Sequence, residues 1–124
     1  PIWKRTSGKE KGRDGCRVAL PWDEQSAHKN FKGLSAAVQE GNSDSMLNYY
    51  RKAIALRKEL CVNEEIEFLD TPKGVIGFKR GTNWSVYTNF NEAPVALPSG
   101  KVLISSAPIV DNQIPASATV WVSN

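Results

Sequence analysis

Histidine, cysteine and methionine are nearly missing from this chain: one His, two Cys and one Met among 124 residues. Any triad or imidazole metal site would have to use His28, and a lone histidine is read here as a surface residue. Cys16 and Cys61 are too few and too far apart for a metal ribbon or a disulfide framework, so two reduced thiols of a cytosolic protein are expected. Cys16 has arginines near it in sequence, but no base partner is indicated. No run of about 18 apolar residues exists, which excludes a membrane-spanning helix. No basic-then-apolar leader is seen either, and a cytoplasmic location is expected. The glycines of GKEKGRDG lack the flanking strand and helix of a phosphate loop. Glu64 and Glu65 are adjacent, so on a strand they point to opposite faces and cannot flank one bond. Neither a metal nor an organic cofactor is called for by these residues.

The charge is uneven. Up to Gly33 there are eight cations (Lys4, Arg5, Lys9, Lys11, Arg13, Arg17, Lys29, Lys32) against four acids (Glu10, Asp14, Asp23, Glu24), more than the whole net charge of +3. The cations are interrupted by acids and no helix-turn-helix, zinc-finger or aromatic RNA-binding pattern accompanies them, so no nucleic-acid partner is expected.

Residues 1–42 show neither helical nor strand period over a useful length, although Ser35–Glu40 suits a short helical turn. A compact domain seldom holds so long an irregular stretch, and a disordered arm would not carry Ile2, Trp3, Val18, Leu20, Trp22 and Phe31. This region is expected to pack on a body only partly present in the sequence. Its densest part is Gly12–Trp22, GRDGCRVALPW, which combines two arginines, a carboxylate, two glycines, a proline and a tryptophan. Such a mixture belongs to a shaped loop. A planar guanidinium suits carboxylates and also the vicinal hydroxyls of a sugar. Arg13, Asp14 and Arg17 can therefore recognise a polar ligand, or can tie the loop to itself over Trp22.

From Ser43 to Cys61 the apolar side chains recur at three- and four-residue steps: Met46/Leu47, Tyr50, Ala53/Ile54, the Arg57 stem and Leu60/Cys61. That is one stripe of an amphipathic helix about 27 Å long. Asn42 is read as its cap, with Asp44 in the first turn and Arg57 and Lys58 in the last. Strands are expected at Ile66–Leu69, Val75–Arg80, Trp84–Phe90, Pro94–Leu97, Lys101–Ser105 and Thr119–Val122, separated by turns rich in Pro, Gly and Asn. Short strands at this spacing indicate an antiparallel sandwich or barrel, with Pro94 at an edge. Alternation places Trp84 and Trp121 in the core; the competing reading makes them sugar platforms of a free-standing carbohydrate-binding β module. The order is loop, helix, antiparallel β unit, with the boundary near Leu60–Glu65.

Several blocks carry a family resemblance: PIWKRTSG, GRDGCRVALPW, QEGNSDSMLNYYRKAIALRKEL, FLDTPKGVIGFKRG, YTNFNEAPVALPSGKVLISS and a late Val-Trp. In order and spacing they resemble the C-terminal region of actinobacterial-type α-glucosidases of the α-amylase superfamily. Ala19 departs from the family's usual proline. The resemblance implies an α+β fragment in which residues 1–62 are the last loop and last helix of a (β/α)8 barrel. Residues 63–124 would be the C-terminal antiparallel β-sandwich. It further implies that Arg13 hydrogen-bonds the non-reducing glucose of an α-linked oligosaccharide. Arg17 takes that role if the local alignment is read one arginine later, Asp14 orients one of the two, and Trp22 anchors the loop. The partners implied are that oligosaccharide and the upstream catalytic barrel of the same polypeptide. The Asp nucleophile, Glu acid/base and third Asp of the family's retaining mechanism would lie upstream, so this chain alone is expected to be inactive.

Overall fold

The computed structural model describes residues 2–10, 21–23, 25, 33–61, 65–81 and 83–123. They fall into two compact units, Pro1–Tyr50 and Arg51–Asn124.

In the first unit, helix α1 spans Ile2–Arg5 and helix α2 spans Ala36–Glu40. Ser35 caps α2: its side chain accepts the Val38 N–H at 3.4 Å, satisfying a donor that has no partner inside the helix. Helix α3, Met46–Leu60, begins in this unit and ends in the next. It starts three residues later than the stripe suggested. The Asn42 side chain is spent on the Asp44 N–H at 2.9 Å, closing a turn, and Ser45 becomes the cap by accepting the Asn48 N–H at 3.3 Å. Asp44 thus precedes the helix and is not in its first turn. One flank of α3 (Tyr49, Ala53, Leu56, Leu60) is half-buried, while Met46, Tyr50 and Ile54 remain 64%, 59% and 52% exposed. A helix apolar on more than one flank is built to be covered on more than one side.

The second unit is a β-sandwich. Strands β1 (Ile66–Phe68), β2 (Val75–Arg80), β3 (Trp84–Asn89), β5 (Lys101–Ser105) and β7 (Thr119–Ser123) form one sheet in the order β1-β2-β3-β7-β5, while β4 (Val95–Ala96) pairs with β6 (Gln113–Ile114). The pairings are antiparallel, with a bulge between Val102 and Ile104 in β5. β4 pairs with β6 alone, the edge-like setting expected beside Pro94. The core between the sheets is Ile114, Ala118, Val120 and Val122, with Tyr87, Val95, Leu97 and Val102 packed against it.

Central strand β3 is covered on both faces. Ser85 and Asn89 are fully buried on the side of Tyr87, and Trp84 and Val86 are buried on the other. Asn89 has no exposed surface. Its amide donates to the carbonyls of Ala93 (2.9 Å), Ile114 (3.2 Å) and Pro115 (3.0 Å), and its oxygen accepts the Asn91 N–H at 2.9 Å. A buried amide bonded in this way fixes the connection from β3 to β4 against the strand β6. On the other face the Trp84 indole donates to the Leu60 carbonyl at 3.2 Å and packs on Trp121, ring centroids 5.0 Å apart. Register places Ile66, Phe68 and Ile76 on this same face, and all three are exposed. Among the described residues no helix is long and apolar enough to cross a membrane.

Candidate functional site

Arg13, Asp14 and Arg17, like Cys16, His28 and Glu64, lie outside the described residues. What the structure describes is the ground on which their loop ends. The carbonyls of Pro21 and Trp22 accept the N–H groups of Ala36 (2.7 Å) and Ala37 (3.0 Å). The end of the loop is thereby fastened to the first turn of α2, where unpaired backbone donors are available. Trp22, which the resemblance makes the anchor of the loop, is 64% exposed. The backbone holds this point and the indole is left on the surface.

Helix α2 is in turn fixed by Gln39. Its side-chain amide donates to the Leu34 carbonyl at 3.0 Å, and its side-chain oxygen accepts the Leu47 N–H at 3.2 Å. Its backbone carbonyl accepts the Ser45 hydroxyl at 2.6 Å and the Asn48 amide at 3.1 Å. Asn48 also donates to the carbonyls of Glu40 (3.0 Å) and Asn42 (2.9 Å). One glutamine and one asparagine thus tie the segment after the loop to the start of α3. The sequence reading placed Gln39 only in a short turn and Asn48 only within a helix. The available signal was the density of Gln, Asn and Ser between two helical patterns, since such side chains compete for backbone groups at helix ends.

Trp84 is 3% exposed, so it is a core residue and no sugar platform. Trp121 is half-buried against it. Cys61 carries a free thiol and is half-buried. Among the described residues no group of three His, Cys, Asp or Glu side chains could hold a metal ion.

No protein-family model matches the chain. It is 35% identical to a probable α-glucosidase of Rhizobium meliloti (strain 1021), over 65% of this chain and 17% of that protein. Among solved structures, a mutant isomaltulose synthase of Erwinia rhapontici NX5 in complex with D-glucose aligns with a TM-score of 0.62. The match covers 98% of this chain and 30% of that one at 23% identity, a likeness of fold. The α-glucosyl transfer enzyme XgtA aligns with a TM-score of 0.56 and 27% identity, over 91% of this chain and 26% of that one. The β-sandwich with its preceding helix is the architecture of the C-terminal part of α-amylase-family enzymes. The chain is similar to C-terminal segments of such enzymes, and the relatives it matches in sequence are named as a probable α-glucosidase and an α-glucosidase. It spans less than a fifth of the length of the curated relatives it matches.

Proposed function

We propose that this chain is the C-terminal part of a glycoside hydrolase that cleaves terminal α-glucosidic bonds of small oligosaccharides. In this reading residues 1–62 complete the catalytic (β/α)8 barrel and residues 63–124 form the β-sandwich that stabilises it. The loop Gly12–Trp22 is one wall of the glucose pocket. Arg13 donates to the hydroxyls of the non-reducing glucose, Asp14 orients a guanidinium, and Arg17 is the alternative ligand. The catalytic carboxylates come from the upstream barrel, so this segment binds substrate and does not break the bond.

The observation that carries the reading is the exposed stripe of Met46, Tyr50 and Ile54 on α3, beside a flank that is already half-buried. Apolar side chains at four-residue steps call for a partner surface, and the upstream barrel is the partner that the α-glucosidase relatives' greater length supplies. The match to named α-glucosidases supports the substrate class. The reading of Trp84 as a sugar platform loses its support, because Trp84 is buried.

The test is an assay of glucose release from maltose, isomaltose and sucrose. The full polypeptide that carries this sequence should be active on at least one of them, and the 124-residue chain on none. Hydrolysis by the short chain, or no release by the long one, would overturn the proposal.

A further inference from the structure

On the sheet face away from Trp84, the β unit contains a pocket of about 210 Å³. The turn Asp70–Pro72, Tyr87 of β3, and Val95, Ala96 and Pro98 form it together with the buried Val75 and Ile114. Its shape depends on a missing side chain. Gly77 of β2 pairs with Tyr87, and a Cβ at Gly77 would stand 2.8 Å from Thr71 Cγ2 and 2.9 Å from Cδ1 and Cε1 of Tyr87. Glycine lets Thr71 and the tyrosine ring close over the β2 backbone. The Thr71 hydroxyl donates to the Val75 carbonyl at 2.7 Å, and the Val75 N–H to the Pro72 carbonyl at 3.0 Å, so the turn that supplies Asp70 is held in place.

We propose that this pocket binds a single neutral hexopyranose, the terminal glucosyl unit of an oligosaccharide being the case to test first. Most of its lining is aromatic or aliphatic, with a carboxylate and a hydroxyl on the turn. A pyranose has the matching division, with C–H groups on its faces and hydroxyls around its edge. The faces stack on Tyr87 and Pro98, while the edge hydroxyls donate to the Asp70 carboxylate in a charge-assisted bond. The volume lies below the roughly 300–1,000 Å³ of drug-sized pockets, which suits one ring and excludes a buried oligosaccharide. Asp70 repels anions, and among the described residues no cation lines the pocket to offset it. The choice of a glucosyl ring rests on the α-glucosidase reading above; the pocket's amphipathic lining does not.

The test is methyl NMR on the full polypeptide, following the Val95 and Ile114 methyl groups as D-glucose or maltose is added. Saturable shifts with a millimolar Kd are expected. Asp70→Asn should weaken binding about tenfold, and Ala96→Trp, at an exposed lining position, should abolish it with the remaining methyl spectrum unchanged. Sorbitol, a polyol without a ring, should cause no shift. Three results would overturn the inference: no saturable shift at about 100 mM sugar, equal shifts with sorbitol, or unchanged binding in both variants. Glucosidase activity is read on the same sample. An active enzyme with a silent pocket refutes this inference alone, whereas sugar binding at the pocket of an inactive protein refutes the function proposed above and leaves the pocket standing.

Discussion

The indole N–H of Trp84 donates to the carbonyl of Leu60, the last residue of α3, at 3.2 Å. A helix end leaves its final carbonyls without intrahelical partners, and here the central strand of the sheet supplies one. The same ring packs on Trp121, so a single residue ties the helix terminus to two neighbouring strands. Trp84→Phe keeps most of the packing and removes the donor, and should cost about 1 kcal/mol. Trp84→Ala should cost about 3–5 kcal/mol. Calorimetry on the two variants checks both values, and an unchanged transition in Trp84→Phe would show that the bond contributes nothing.

Asn89 fixes the other face of the same strand. Its two amide hydrogens serve three carbonyls, and its oxygen also accepts from the Asn91 side chain at 3.1 Å. Asn89→Ala should destabilise the β unit by about 2–4 kcal/mol, because buried carbonyls lose their donor. Asn89→Asp should be worse, since it turns a carboxylate toward those carbonyls. Denaturant unfolding would rank the two variants, and equal stability of Asp and Asn at this position would contradict the donor role.

Much of this framework is legible in the residues, and the reasons differ by element. The bounds of β2 and β5 agree with the alternation and turn chemistry to the residue, and Trp84 falls in the core as its strand parity requires. β6 escapes notice because Gln113 and Ile114 are a strand only through pairing with Val95 and Ala96, a contact between distant parts of the chain. α1 is one turn long, too short for a period to show. The start of α3 moves from Ser43 to Met46 because two polar side chains compete to cap it, and local geometry favours Ser45. At the candidate site, Arg13, Asp14 and Arg17 are singled out by residue type and family resemblance. The Gln39 network after the loop in sequence is invisible to periodicity, since it joins side chains to backbone groups five to nine residues away.

The stripe on α3 makes a prediction about the chain by itself. With Met46, Tyr50 and Ile54 open to water, the 124-residue chain should self-associate. Replacing all three by serine should shift sedimentation toward the monomer. A wild-type chain that sediments as a monomer and melts cooperatively would show that the stripe needs no partner.

The central proposal is that this chain supplies a sugar-binding arginine to a site whose catalytic carboxylates lie upstream. The most direct measurement is kcat/KM of the full polypeptide on an α-glucosidic disaccharide, with Arg13→Ala and Arg17→Ala compared against wild type. A shielded hydrogen bond to a charged group is worth about 1.5–3 kcal/mol, so Arg13→Ala should lower kcat/KM by about 10- to 150-fold. Arg17→Ala should have the smaller effect. Arg13→Ala and Arg17→Ala variants that both stay within about twofold of wild type would contradict the account.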